Sequence, residues 1–398
     1  MNDQQPAAAK AGDLIEVEIE KIIPGGFGLG FANGLTVFVS LAVAGDRLRV
    51  EVREIKGKIA FAEIHSIISA AAERIDPPCV YVGICGGCDF QQMTYEAQLA
   101  AKVGIIRDSL HRITKLDYER EIDIIASPAP FEYRLRAQWH LSRERQNLGY
   151  YRRNSRELVA IEHCPILVPE LDSTLQKLRE DIDWNKFKPE KGIVDAASGD
   201  NGSVSLHSRE LDLETKDITL TAAGETYTFS AATFFQGNRY LIEKLVETAV
   251  SGSEGRKALD LYSGVGLFTL PLARRFSNVT AVEDYAPSVA YAKINAEKAG
   301  LPNIKLSMQP VGRFLAEYSG KVDFALLDPP RAGTEKKTIL DFIRIAPREV
   351  SYVSCEPSIL ARDLRRFLDA GYVIDSITAF DLFPQTHHVE AIARLHLP

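Results

Sequence analysis

No apolar run in this 398-residue chain is long enough to cross a bilayer. Its start, 1–13, is polar and alanine-rich and has no apolar core for a signal peptide. The cytoplasm is therefore the expected location. No internal repeat is visible. Cysteine is scarce, five in all, too few for a disulfide framework in a chain of this size. Excess positive charge is missing too: the net charge is −7, which on average argues against nucleic acid. What is present, 45% apolar and 25% charged residues, is the composition of a soluble globular protein. The length exceeds one ordinary core and predicts two or three domains.

The average charge hides a local reversal. Within 131–160 lie Arg134, Arg136, Arg143, Arg145, Arg152, Arg153 and Arg156, opposed only by Glu132, Glu144 and Glu157. Phe131, Tyr133, Trp139, Tyr150 and Tyr151 are interleaved with them. Guanidinium groups neutralise phosphates and aromatic faces stack unpaired bases, so the mixture suits RNA. A solvated sheet face with ordinary core aromatics is the plainer reading.

The cysteines divide into four and one. Cys79, Cys85 and Cys88 are closely spaced around Gly83, Gly86 and Gly87, and Cys164 follows far downstream before Pro165. Glycines let backbone wrap a cluster and aim N–H groups at sulfur. Four thiolates hold either a 4Fe–4S cluster or a structural zinc, and the missing second C-x2–4-C pair favours the cluster.

Three regions emerge along the chain. Residues 12–68 alternate in the strand period around a glycine-rich stretch at 24–30, read as a turn-rich loop, and suit an OB-like β-barrel. Residues 69–230 hold the cysteines and arginines and read as a mixed α/β domain. In it, 95–116 is predicted helical, with Leu99, Val103, Ile106 and Leu110 on one face. From 231 the pattern turns to β-α-β, a Rossmann-like arrangement.

The chemistry gathers in this last region. A strand at 258–262 runs into Ser263-Gly264-Val265-Gly266, and the next strand ends in Glu283. A glycine loop exposes backbone N–H groups, and a carboxylate ending the second strand holds ribose hydroxyls. A dinucleotide site would want glycine at 269, where this chain has Thr269; S-adenosylmethionine (SAM), which has no phosphate, is the better fit. Asp328-Pro329-Pro330 ends another apolar strand, where base methyltransferases place their target. Cys355 follows the apolar run 350–353, and Glu390 precedes the last one, 391–397. If that last strand runs antiparallel to 372–380, all these features meet at one sheet edge. A thiolate adding to carbon 6 of uracil makes carbon 5 nucleophilic, and a base must later remove the carbon-5 proton. Cys355 is the expected nucleophile and Glu390 the expected base. Pro357, opening a helix at 357–370, would set Cys355 at a positive helix end and lower its pKa.

With these residues in place the chain resembles the RNA uracil-C5-methyltransferase (5-methyluridine) family, in its branch with a TRAM barrel and an iron–sulfur cluster. The likeness runs from about residue 12 to the end. It rests on Ser-Cys-x-Pro-x-x-Leu-Ala-Arg-Asp at 354–363 and Phe-Pro-x-Thr-x-His-Val-Glu ending at Glu390. It implies a 4Fe–4S cluster on Cys79, Cys85, Cys88 and Cys164. It also implies SAM contacts from Gln236 (in Phe234-Phe235-Gln236), Tyr262, Glu283 and Asp328, and an adenine contact within 306–314. Glu356 stands where Asn or Asp is frequent, and Leu267 replaces an asparagine that some relatives place beside SAM. Members with both barrel and cluster mostly modify 23S ribosomal RNA, with tRNA the alternative. A nitrogen-directed methyltransferase, an electron-transfer protein and a silent RNA-binding protein are the rival readings, and none of them needs the Cys355/Glu390 pair.

Overall fold

A computed structural model describes residues 9–398; the first eight residues, part of the polar start read as lacking a signal core, lie outside it. Among the described residues no helix is long and apolar enough to cross a membrane.

Strands Leu14–Ile23, Phe27–Ala32, Leu35–Val39, Arg47–Lys56 and Ile59–Ser69 close into a barrel. Its interior is filled by the alternate residues of each strand, among them Ile15, Val17, Val37, Val39, Leu48, Val50, Ala60 and Ala62. The glycine-rich stretch departs from expectation: Phe27–Ala32 is a strand of the barrel, not a loop. Its inward positions are Gly28 and Gly30, where a Cβ would lie 2.6 Å from Ala42 and 2.2 Å from the Glu18 carbonyl oxygen. Because nothing larger than hydrogen fits there, the period-2 apolar signal vanishes.

The central region builds a five-stranded antiparallel sheet in the spatial order Val204–His207, Lys191–Ser198, Arg136–Ser142, Asn147–Tyr151, Leu158–Ala160. Helix Pro169–Asp181 lies on it through Leu171, Leu175 and Leu178. Trp139 and Tyr133 are core residues, so the plainer reading of the 131–160 aromatics holds for them. Two of the arginines are also structural. Arg134 is drawn in beside the cysteines, and Arg136 donates to the Thr233 and Ala231 carbonyls. Arg145 and Arg152 share Glu157, while Arg143 and Arg156 are exposed.

The C-terminal sheet has eight strands in the order Ile304–Met308, Phe276–Glu283, Gly255–Leu261, Phe324–Leu327, Glu349–Ser354, Glu390–His396, Val373–Phe380, Asp123–Ile125. The first five are parallel, and Glu390–His396 inserts antiparallel to both neighbours. The chain order reverses between Gly255–Leu261 and Phe324–Leu327, which opens the crevice where open α/β sheets bind ligands. The edge strand Asp123–Ile125 comes from the central region.

Helix Tyr95–Ser109, capped by the Thr94 hydroxyl, joins the regions. Its buried face is only partly the predicted apolar stripe: Ile106 and Leu110 are buried, Leu99 and Val103 only half-buried, and Gln98, Lys102, Ile105 and Ser109 also point inward. Lysine rarely enters a core unpaired. Here fully buried Lys102 meets fully buried Asp381 and also donates to the Phe383 carbonyl at 3.0 Å. Removing one partner strands the other charge in the interior. Lys102→Met is expected to destabilise the protein by about 3–5 kcal/mol, read as a lower urea midpoint at unchanged m.

Candidate active site

Each expected catalytic or SAM residue arrives at the crevice on its own element. Cys355 follows strand Glu349–Ser354, and Glu390 opens the strand paired to it. The register pairs Ser354 with Ala391, so Cys355 and Glu390 are the next residues across the ladder. Asp328 follows strand Phe324–Leu327, Glu283 ends Phe276–Glu283, and Tyr262 follows Gly255–Leu261. Together with Gln236 they line one cavity of about 770 Å³.

The loop after Leu261 is held in strained backbone. Tyr262 has φ 65°, and Gly264 and Gly266 have φ 55° and 96°. A non-glycine residue in the left-handed region persists only where its surroundings fix it. Here the Tyr262 and Ser263 N–H groups both donate to the Val282 carbonyl, at 3.0 and 3.1 Å. Thr269, at the absent third glycine, donates its hydroxyl to buried Asp260. The Glu283 carboxylate accepts from the N–H groups of Gly264 (3.0 Å), Asp284 (2.9 Å) and Tyr285 (2.8 Å). Those bonds fix its orientation toward the cavity. Tyr262 and Asp284 also border a second cavity of about 440 Å³ lined by Pro310, Val311, Gly312 and Arg313. Part of the 306–314 stretch thus lies beside the expected SAM residues.

Electrostatics in the cleft run against one expectation. Pro357 does open helix Pro357–Asp369, with the Glu356 carboxylate capping it by accepting from the Ser358 N–H (3.4 Å) and also from the Ser358 hydroxyl (2.8 Å). Yet the Cys355 thiol is pushed up to about 12, by burial first and then by the Glu390 carboxylate, with Arg331 opposing. A helix terminus supplies about 0.3–1 kcal/mol, less than burial beside a carboxylate costs. Glu390, nearly inaccessible, is raised well above the carboxylate range by burial and then by Asp328. Asp328 is itself raised to about 7 by burial, with Asp260 adding. Cys355, Glu390 and Asp328 therefore form a cluster whose burial favours the protonated forms, opposed at Cys355 and Glu390 by the Arg331 guanidinium.

Sequence reasoning assigned no role to Arg331, although it directly follows Asp-Pro-Pro. Asn238 closes the Phe234-Phe235-Gln236-x-Asn238 segment of the resemblance but was given no role; its amide donates to the Ser127 hydroxyl (3.2 Å) and to the Asp381 and Leu382 carbonyls (3.4 Å each), holding the Gln236 segment. Arg136, stacked over the exposed ring of Phe234, holds the other side of that segment.

Cys79, Cys85, Cys88 and Cys164 line a separate cavity of about 160 Å³ in the central region. Among the described residues, no three His, Cys, Asp or Glu converge as a single metal ion would require. Burial raises Cys88 to about 12 and Cys164 to about 11, and each feels neighbouring thiols of the set. Gly87 donates its N–H to the Cys85 sulfur at 3.3 Å.

Comparison with known proteins agrees with this geometry. A family profile described as tRNA (Uracil-5-)-methyltransferase matches residues 208–396. A 23S rRNA (uracil(1939)-C(5))-methyltransferase, RlmD, of Klebsiella pneumoniae is 30% identical, over 95% of each chain. An RNA methyltransferase of Synechocystis, itself uncharacterized, is 32% identical over 95% of each. The crystal structure of Pyrococcus abyssi tRNA (uracil-54, C5)-methyltransferase with S-adenosyl-L-homocysteine superposes with a TM-score of 0.74, at 25% identity, over 96% of this chain and all of that one. The fold and cleft are those of a SAM-dependent RNA methyltransferase. The chain belongs to the RNA uracil-C5-methyltransferase family. Neither a nitrogen-directed methyltransferase nor an electron-transfer protein accounts for that membership.

Proposed function

We propose that this enzyme methylates carbon 5 of a uridine in 23S ribosomal RNA through a covalent adduct on Cys355. The observation that carries the reading is the placement of Cys355 and Glu390 across one strand pair, in a cavity shared with Gln236, Tyr262, Glu283 and Asp328. The Cys355 thiolate adds to carbon 6, and the ring's electron pair moves through carbon 5 to the carbon-4 oxygen as an enolate. Carbon 5 then takes the methyl group, whose bonding pair stays on the sulfur of the departing S-adenosylhomocysteine. The Glu390 carboxylate removes the carbon-5 proton, the C5=C6 double bond re-forms, and the C6–S bond breaks to return the thiolate. SAM is assigned to Gln236, Tyr262, Glu283 and Asp328.

The ribosomal substrate is supported by the relative from Klebsiella. The Pyrococcus abyssi enzyme supports a second reading, the same reaction on tRNA. The deciding measurement is transfer from labelled SAM into unmodified 23S ribosomal RNA and tRNA transcripts, with the product nucleoside identified by mass spectrometry. Label in 5-methyluridine of the ribosomal transcript is expected. Label in tRNA alone would replace the substrate, and methyl on another nucleoside would end the mechanism.

The four-cysteine cavity fits a 4Fe–4S cluster. A cluster binds one thiolate at each of four irons, so its ligands surround a core instead of converging on a point. Its cationic irons would also relieve the cost of burying Cys85, Cys88 and Cys164. Cys79, Cys85, Cys88 and Cys164 would hold it and so tie 79–88 to the segment at 164. Such a cluster supplies one-electron chemistry, and methyl transfer calls for none; its role here is structural.

The rate should rise with pH. Attack needs Cys355 as thiolate and proton removal needs Glu390 as carboxylate, yet burial raises both groups above their ordinary ranges. Single-turnover rates are expected to climb from about pH 6 with no plateau by about pH 9, since the Cys355 thiol is pushed up to about 12; a flat profile would contradict the assignment.

A further inference from the structure

The loop that delivers Glu390 is held from outside its own sheet. Lys102 Nζ donates to the Phe383 carbonyl (3.0 Å), and the Tyr133 hydroxyl to the Pro384 carbonyl (2.9 Å). The Gln98 side chain bonds Gln385 twice, accepting from its backbone N–H and donating to its side-chain oxygen, both at 3.0 Å. The N–H groups of Asp89 and Phe90 both donate to the Gln385 carbonyl, at 3.1 and 3.0 Å. Gln385 itself has φ 69°, a conformation that a non-glycine residue keeps only when its neighbours over-determine it.

Asp89 makes the most directed of these contacts. Its carboxylate accepts from the His387 backbone N–H at 2.8 Å and from His387 Nδ1 at 2.5 Å, which fixes both the ring tautomer and the backbone three residues before Glu390. The barrel closes over the pair: a Cβ on Gly26 would sit 2.9 Å from Asp89 Oδ2 and 3.0 Å from His387 Cβ. Asp89 also directly follows Cys88. Barrel turn, cysteine segment and base loop therefore meet at this one hydrogen-bonded pair.

We propose that Asp89 is a positioning residue for the general base, setting Glu390 against carbon 5 through His387. This rests on the reading of Glu390 as that base. Methyl transfer and its covalent adduct need Cys355 and SAM, neither of which Asp89 touches, whereas removal of the carbon-5 proton needs Glu390 in place. A misplaced base should stall the reaction after methylation and before release.

The test uses purified full-length protein with its native iron content and an unmodified 23S ribosomal RNA transcript. Asp89→Ala is expected to lower kcat about 10²-fold, leave the Kd for SAM unchanged, and accumulate an SDS-resistant protein–RNA adduct. Asp89→Asn, which keeps an oxygen for the His387 N–H, should restore most of the rate. His387→Ala breaks the same pair from the loop side, so the test stands even where Asp89→Ala fails to fold. Wild-type kcat in both alanine variants would overturn the proposal. So would a loss without adduct, or one that tracks loss of iron or of SAM binding. Glu390→Gln measured alongside separates the two layers: if it yields no adduct, the assignment of the base has failed; if it does and Asp89→Ala and His387→Ala do not, only the role of Asp89 has.

Discussion

Cys355→Ala should abolish turnover, with a loss on the order of 10⁴-fold or more, while SAM still binds. Carbon 5 of uracil is too poor a nucleophile to take a methyl group until something adds at carbon 6. Without the thiolate there is no second route to the enolate, so the variant loses the reaction and not merely some of its speed. Gln236, Tyr262 and Glu283, the proposed cofactor side of the cavity, make no hydrogen bond to the strand end carrying Cys355 among the described residues. Calorimetric titration with SAM should accordingly match wild type, and no protein–RNA adduct should survive SDS. Residual methylation at a tenth of the wild-type rate would mean that the cysteine is a buried structural thiol and that another group activates the ring.

Glu390→Gln separates the halves of the reaction. The amide has nearly the shape of the acid, so the strand start and the cavity should be preserved, but it takes no proton. Loss of a positioned general base lowers a rate about 10²–10⁴-fold. In the proposed mechanism Cys355 addition and methylation precede the need for the base, so the methylated adduct should build up on Cys355 as a slow-migrating band carrying label from SAM. That band must vanish in Cys355→Ala/Glu390→Gln. An unlabelled adduct would place the block before methyl transfer and give Glu390 an earlier role. One electrostatic effect works in favour of the adduct: the Glu390 carboxylate raises the Cys355 thiol, and the neutral amide removes that contribution.

Much of this cleft was legible in the chain because its residues sit at strand ends. Cys355, Asp328 and Glu283 each close an apolar run, and a parallel sheet gathers such ends at one edge. Glu390 begins a strand instead of ending one. The antiparallel insertion of Glu390–His396 beside Glu349–Ser354 puts it at the same edge. The barrel was visible through its alternation except at Phe27–Ala32, where Gly28 and Gly30 erase the inward half of the pattern. The helix at 95–109 was foreseen but its buried face only in part, at Ile106 and Leu110; Lys102 and Gln98 are inside only because Asp381 and Gln385, nearly 280 residues away or more, are there to receive them.

The sequence by itself determined what kind of groups are present and at which ends of which elements: a thiol, a base, a glycine loop with its carboxylate, and four cysteines apart from the fifth. Local periodicity and turn chemistry act over a few residues, and they suffice for that. Protonation and support were decided only by the tertiary structure. The Cys355 thiol lies high, against the expectation from its helix, because burial and a facing carboxylate arrive from another strand. The base loop is held by Asp89, Gln98 and Lys102 because the central region folds back against the last hairpin. The thiol's carboxylate comes from another strand of the sheet and the base loop's partners from hundreds of residues away, and neither juxtaposition has a trace in local pattern.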